Sequence, residues 1–411
     1  MACQSHSNRA ATRWAVRIIP FFIIGLFGVG TYAVVGRLLV EYLYREERRT
    51  GLVVALLVLY SLFFLLVVWT YARTLLATQL DPGLVPLIND GETDEKQQRG
   101  SRGGRGGDTE ASLWVPPDLN PDSPGLEAFY SKDVFVCESD GRPKWCSECR
   151  QWKPDRAHHS SELDRCVRKM DHLCPWVGGM VAEPSFNFFF QFTLYTACLC
   201  FISVATGAYS LHVQNQQGRG LDGWVIVVIV LAALFGFFAF AMTLTSARFV
   251  FTNTTNIDML RKTQVFFLAV RIPLNGRRSD KFPTIVYPLQ PYQAWEVIGQ
   301  AQPQPNGGGG DSSERDQQAT RRFAILRTEP RENPWDLGYW GNWKSVMGNN
   351  MAEWLLPIKH SPCCNHESMV SDYQFGPLVA ELKKRYGILE LNNDMRGEME
   401  MEMHSTVVSG T

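Results

Sequence analysis

Four stretches of the chain, 18–36, 51–72, 188–209 and 223–247, carry no charged residue and are apolar at most positions. As helices rising 1.5 Å per residue, they are each long enough to cross a hydrocarbon core about 30 Å thick. The expected fold class is therefore an all-α membrane protein: four transmembrane helices, with a cysteine-rich domain at 126–187 between the second and the third. Trp69 and Tyr71, near the end of the second run, have the amphipathic rings that settle at a membrane interface. The first run follows a polar segment, 1–17, that carries Arg9, Arg13 and Arg17. It is too long for a removable signal peptide and lacks a small-residue cleavage site, so it reads as a retained anchor.

Charge adds an orientation. The loop between the third and fourth runs has one cation, Arg219, which by the positive-inside rule faces away from the cytoplasm. The N-terminus, the cysteine-rich domain and the C-terminal region then fall on the cytosolic side. The first loop dissents with Arg37, Arg45, Arg48 and Arg49, although Glu41, Glu46 and Glu47 lie among them. Outside the spans, 92–125 is rich in Gly, Arg, Asp and Pro, and 303–320 holds NGGGG among mixed charges. Neither composition can bury a core, and both read as linkers. Residues 248–302 read as a juxtamembrane segment, 321–360 as an interfacial one with Trp335, Trp340, Trp343 and Trp354, and 361–411 as a mostly disordered tail. With 40 Lys and Arg against 41 Asp and Glu, net charge points to no nucleic-acid partner, and the RGG-like run of the first linker reads as solvated.

Candidate chemistry lies in the polar island at 146–176. Cys146 and Cys149 form a C-x-x-C knuckle, and His159 and Cys166 follow at distances a short hairpin could close into one tetrahedral zinc site. Eight residues later comes Cys174, preceded by Asp171 and His172, so a nucleophile, a base and a carboxylate fall within four positions. Residues two apart share a face only in extended chain, and Pro175 biases Cys174 away from helix, so His172 and Cys174 are expected side by side on a strand or loop. Asp171 can orient that imidazole only where the backbone bends. Five of the ten cysteines fall between Cys137 and Cys174, which fits metal and reactive thiol in a reducing compartment better than a disulfide scaffold. Cys198 and Cys200 in the third run read as packing thiols in an apolar wall, with the lining of a pocket among the helices as the other possibility.

KPDRAHH at 153–159, CVRKMDH at 166–172 and CPW at 174–176 together resemble the DHHC family of protein S-acyltransferases, and among these the filamentous-fungal Pfa group. The likeness extends from the first apolar run to about Gly348. Asp81-Pro82-Gly83 resembles the family's DPG motif, with a helix-closing turn as the equal alternative. Thr254-Thr255-Asn256-Ile257-Asp258 resembles its TTxE motif, with Asn256 in place of a threonine and Asp258 at the acidic position. NPWDLG at 333–338 and Asn342-Trp343 resemble its C-terminal motif, in which an asparagine ties the tail to the helix ends; Asn342 is the candidate.

The resemblance implies an acyl-enzyme on Cys174, formed from long-chain acyl-CoA and passed to cysteines of membrane-associated proteins at the cytosolic bilayer face. His172 and Asp171 would assist, and Lys153, Arg156 and His158 would contact the CoA head group, loop packing or solvated charge being the alternative reading. Palmitoyl-CoA, substrate proteins with membrane-proximal cysteines and the bilayer are the partners it implies. In the family pattern two zincs are bound. Here the second ligand set reads Ser160, Leu163, Leu173 and Met180, none of them an ordinary zinc ligand, so one structural zinc is expected and the signature becomes DHLC. His158, Glu162, Asp164 and Glu183 could rebuild a site but lack convincing spacing. Two rivals follow: an inactive membrane adaptor whose loop has lost its metal support, and a transporter, disfavoured because no run carries an ionisable residue. Cys363, Cys364 and His366 form a candidate self-acylation site, set against functionless surface thiols.

Overall fold

A computed structural model describes residues 2–87, 125–220, 222–260, 265–274, 279–287, 320–362 and 373–388. Apart from Gly125 and Thr320, the two expected linkers lie outside the described residues, as do Cys363, Cys364, His366 and everything after Ile388. The chain divides into two units, one of Met1–Leu84, Val167–Arg261 and Trp335–Cys364, the other of Val85–Cys166, Lys262–Pro334 and Asn365–Thr411.

The first unit is built on four long helices. α1 (Ala2–Thr31) continues into wider π-helical turns (Tyr32–Glu46) and is followed by α2 (Thr50–Leu80), α3 (Phe186–Gln216) and α4 (Gly223–Thr252). Each contains a span long and apolar enough to cross a membrane, which makes this an integral membrane protein. α3 packs along both α2 and α4, burying Tyr60, Val67, Leu199, Ile202 and Val228. Phe21, Leu65, Phe201 and Phe237 stay exposed on the outer faces, as expected of helices bathed in lipid rather than water.

The first span is longer than the uncharged run. The helix carries on from Gly36 to Glu46, so Arg37 and Arg45 are helical, and Arg37 pairs with Glu41 one turn away. Glu46 accepts from Arg219 at 2.5 Å and Glu47 from Gln217 at 2.9 Å. The acids that seemed to dilute the first loop's arginines are thus the partners of the loop between α3 and α4, and both loops lie at one end of the helices.

At the other end, side chains of the spans fasten the C-terminal motif. Asn342, fully buried on α6 (Gly338–Met347), donates to the Phe251 carbonyl in the last turn of α4 at 2.8 Å and accepts from the Leu337 amide at 2.8 Å. Gln191 and Tyr195 of α3 donate to carbonyls of Glu353 and Leu355, and Asn253 donates to Trp335. The interfacial reading of the tryptophans needs correcting: Trp335 is buried and Trp343 stacks on Phe251, while Tyr339 and Trp340 are exposed. Tyr71 is likewise buried rather than interfacial.

The second unit overturns the all-α expectation. β1 (Val134–Cys137), β8 (Phe267–Ile272), β9 (Thr284–Tyr287) and β10 (Arg321–Arg327) form an antiparallel sheet in the order β1-β8-β10-β9. β8 and β10 are its inner strands, and Leu268, Ala269, Val270, Phe323, Ala324 and Leu326 are all buried. Strands buried on both faces lose the alternation that betrays a strand, and their partners are far apart in sequence, as with Val134 opposite Val270. Phe135, Tyr287 and Phe323 meet edge to face on this sheet at 5.3–6.1 Å, and Phe129 joins them. Trp145 and Trp152 of the knuckle pack on the same core, so the small apolar base expected beside the knuckle is one edge of a larger layer. Within the stretch expected to be mostly disordered, α8 (Leu378–Arg385) forms a helix whose Arg385 pairs with Glu332 at 2.8 Å.

Candidate active site and metal cluster

The island folds as short hairpins in which every turn position matters. β6 (His172–Cys174) pairs with β7 (Gly179–Val181), His172 opposite Val181, Leu173 opposite Met180 and Cys174 opposite Gly179. In this extended segment His172 and Cys174 project to one side, as their spacing required. A single 3₁₀ turn, Pro175–Val177, and Gly178 at φ 73° reverse the chain. A β-carbon on Gly178 would stand 2.8 Å from Leu75 and 3.2 Å from Pro20, and one on Gly179 2.8 Å from Thr78, so the turn seats directly against α1 and α2.

The turn's carbonyls are held from α2. Tyr71 Oη donates to the Trp176 carbonyl at 3.1 Å, Thr78 Oγ1 to that of Val177 at 2.9 Å, and the Gln79 amide to that of Gly178. Positions 71, 78 and 79 share one helix face, so a single stripe of α2 satisfies three consecutive carbonyls. Sequence reasoning missed these residues; the available signal was polar side chains at helical spacing on an otherwise apolar helix.

Asp171, just before β6, is buried and uses both oxygens. Oδ2 lies 2.6 Å from His172 Nδ1, and Oδ1 accepts the Asn256 backbone N–H at 2.8 Å. The carboxylate thus fixes the ring with Nε2 as its other functional nitrogen. Nε2 has no hydrogen-bond partner among the described residues. Burial pushes the imidazole down, but the bond to Asp171 and the nearby Cys174 sulfur more than reverse this and raise it to about 9. At neutral pH the ring is therefore an imidazolium beside the Cys174 sulfur. The motif at 254–258 contributes by its backbone: the Asn256 bond comes from the main-chain amide, while Asp258 and Thr255 cap each other's amides at 2.9 and 3.2 Å. A side chain in place of threonine at 256 is therefore immaterial to this contact.

His172 and Cys174 form part of the wall of an apolar cavity of about 360 Å³, lined by all four long helices through residues such as Phe27, Tyr60, Phe192 and Phe235. Cys200 also lines it. Asp81-Pro82-Gly83 both ends α2 and starts an extended segment: the Arg168 amide donates to the Gly83 carbonyl at 2.9 Å and Leu84 bridges to Val167.

In the second unit, β2 (Trp145–Cys146) and β3 (Gln151–Trp152) make the knuckle hairpin, and β4 (His158–Ser160) pairs with β5 (Arg165–Val167). They gather Cys146, Cys149, His159 and Cys166 so that the four donor atoms lie within 4.8 Å of one another. His159 Nδ1 is 3.6 Å from Cys146 Sγ and 3.3 Å from Cys149 Sγ. A tetrahedral ion about 2.3 Å from sulfur needs ligand separations of about 3.8 Å, so this donor set fits a metal of zinc's type. Burial and the neighbouring sulfurs push the Cys166 thiol far up, a cost of crowding that a divalent cation removes. It is the only such group of three or more donors among the described residues. His158, Glu162, Asp164 and Glu183 do not form one. At the positions of the other ligand set, Leu173 sits across from Met180 in the hairpin, and Ser160 Oγ accepts the Leu163 amide at 3.3 Å.

Of the three residues expected at a CoA head group, all in this second unit, Arg156 is buried with its guanidinium 5.7 Å from the Tyr373 ring centre. Burial raises the Cys146 thiol, but hydrogen bonds from Cys149 and Cys166, with the nearby Lys153 charge adding to them, lower it on balance, and His158 is half-buried in β4.

Membrane-length helices around an apolar cavity, with a thiol and an oriented imidazole in its wall, define a membrane-embedded protein built for thiol chemistry on an apolar substrate. The chain belongs to the DHHC palmitoyltransferase family, whose family model matches residues 139–263. It is 40% identical to palmitoyltransferase pfa5 of Aspergillus fumigatus over 90% of both chains. It is 35% identical to palmitoyltransferase pfa5 of Emericella nidulans over 90% of this chain and 86% of that one, and 25% identical to palmitoyltransferase PFA5 of Saccharomyces cerevisiae over 60% and 63%.

Replacing Thr78 by valine strands the Val177 carbonyl in an apolar setting. The expected cost is about 1–3 kcal/mol, read as a lower unfolding temperature in detergent, with metal content unchanged.

Proposed function

We propose that this protein S-palmitoyltransferase works through an acyl-enzyme thioester on Cys174, with His172 as the proton carrier and Asp171 as the group that orients it. The observation that carries this reading is the Asp171–His172 bond of 2.6 Å on the strand that presents Cys174 to the apolar cavity. In the resting pair the proton of Cys174 already resides on His172 Nε2, and the sulfur attacks the thioester carbonyl of palmitoyl-CoA as the thiolate. A carbon–sulfur bond forms at Cys174 as the bond to CoA breaks, and the imidazolium protonates the departing CoA thiolate. In the second half an incoming cysteine thiol gives its proton to His172, takes the acyl group and releases the Cys174 thiolate. The acyl chain lies in the cavity among the four helices, where it stays in apolar surroundings throughout.

The cytosolic face of the bilayer is the side of the reaction, as the single cation between α3 and α4 supports. Cys146, Cys149, His159 and Cys166 hold one structural zinc, which when bound neutralises the clustered thiolates and ties the knuckle to the β4–β5 hairpin. Lys153 and His158 remain candidates for the CoA phosphates; Arg156 in its buried position speaks for packing.

Purified protein given radiolabelled palmitoyl-CoA is expected to take up label that hydroxylamine releases, and Cys174→Ser to take up none. A parent protein that stays unlabelled with metal and fold intact would instead be an adaptor. Because Asp171 raises His172, Asp171→Asn is expected to shift the pH dependence of autoacylation downward and slow it about a hundredfold at neutral pH. The stabilising imidazolium is complete below pH 6.5 and disappears as pH rises through about 9, and the variant should lose that pH-dependent part of its stability. Elemental analysis is expected to find one zinc per chain, and none in Cys166→Ala; two would refute the reading of the altered ligand set.

A further inference from the structure

The C-terminal segment of the first unit leaves apolar side chains uncovered that the reaction does not use. It runs through α6 and α7 (Met351–Leu355) to Ile358. Tyr339, Trp340, Met351 and Leu355 are large and lie open, from 52% exposed at Leu355 to 76% at Tyr339. We propose that this segment is a membrane-surface foot, its open side chains set into the boundary between lipid head groups and acyl chains.

The level at which the segment is tied carries the argument. The Gln191 amide donates to the carbonyls of Glu353 and Trp354 at 2.9 and 3.0 Å, and the Tyr195 hydroxyl donates to that of Leu355. α3 begins at Phe186, so these ties fall in its second and third turns, inside the run that carries no charge. Arg73, the first charged residue after the uncharged run of α2, donates to the Ile358 carbonyl at 3.4 Å. The segment therefore lies beside the ends of these spans, where uncharged helix gives way to charge, and not beyond them. That level is the bilayer interface.

The chemistry of the patch agrees. Met351 and Leu355 stand one turn apart on a shared face of α7, while Trp354 and Glu353 turn back toward the chain: the indole N–H donates to the Gly348 carbonyl at 2.9 Å, and the carboxylate accepts the Asn349 amide at 2.8 Å. The Trp340 ring meets that of Trp354 edge to face at 5.4 Å, which joins the open faces of α6 and α7 into one patch. Its neighbours continue the surface, for Phe251, on which Trp343 stacks, and Leu76, one turn from Arg73, are exposed on membrane-length helices. Lys344, its ammonium 5.8 Å from the Trp340 ring centre, and Lys359, whose side chain is mostly exposed, border it. Aromatic rings with lysines reaching past them are the composition of an interface anchor. A soluble partner gains nothing from a patch at this level, whereas lipid covers it once the spans are inserted. α3 also carries Phe189, whose ring packs on His172 at 5.3 Å, so a foot that grips α3 fixes the height of His172 relative to the bilayer.

Fluorine NMR on the full chain in phosphatidylcholine nanodiscs tests this, with trifluoromethyl-phenylalanine in place of Trp340 or, separately, of Leu355. A nitroxide near the head-group end of the lipid chains is expected to erase both resonances, and a soluble gadolinium chelate to leave them sharp. The same label at Leu65, on the exposed face of α2, gives the reference for a residue shielded from the chelate. Resonances erased by the chelate overturn the proposal whatever the nitroxide does, because the patch then faces water. Resonances that neither probe reaches overturn it as well, since a second copy or another protein then covers the patch. An unfolding temperature equal to the parent's shows that the label leaves the fold intact, and Tyr339 and Met351 take the label where a position fails this check.

Discussion

The first unit depends on how a non-helical turn is seated against the ends of its long helices. Carbonyls pressed against α2 are shielded from water and must be satisfied by protein. The stripe Tyr71, Thr78 and Gln79 does this for Trp176, Val177 and Gly178, and the glycines at 178 and 179 let the backbone approach α2 closely enough to be reached. Everything on the hairpin inherits its position from that contact. Cys174 lies one residue before the 3₁₀ segment and His172 two further back, so their placement against the cavity follows from where the turn is held.

Asp171 extends the same logic to the ring. Its two oxygens join the His172 imidazole to the amide of Asn256, just beyond the end of α4, so that the spans and the hairpin share a single buried carboxylate. This electrostatic arrangement raises the imidazole against the downward pull of burial. It also makes this contact independent of the side chain at 256, because the backbone supplies the bond.

The hairpin contributes no residue to the candidate metal cluster found among the described residues. Leu173 and Met180 occupy facing positions across it, a cross-strand apolar pair where the family pattern has a ligand on each side. The retained cluster of three cysteines and one histidine belongs to the second unit, beside a sheet with its own aromatic core. The α2 stripe holds the hairpin through hydrogen bonds to its turn carbonyls.

What the sequence determined by itself was whatever depends on local pattern. Uncharged runs are legible as membrane helices because hydrocarbon excludes charge along a contiguous stretch, and the cysteine and histidine spacings are legible because metal and nucleophile chemistry restrict residue type. Asp171, His172 and Cys174 were readable as a group for the same reason, whereas Asn342 was a candidate only through the family resemblance. Tertiary structure decided what depends on remote partners. The strands at 267–272 and 321–327 are buried on both faces and carry no periodic mark, so only their pairing with β1 and with each other reveals a sheet. Tyr71 looks like an interface residue until the carbonyl it reaches, 105 positions later, is in place. Arg37 and Glu41 look like loop charges until the helix brings them one turn apart. In each case the deciding energy comes from a hydrogen bond, an ion pair or a buried face whose other half lies elsewhere in the chain or waits on the fold, and a linear pattern holds no record of it.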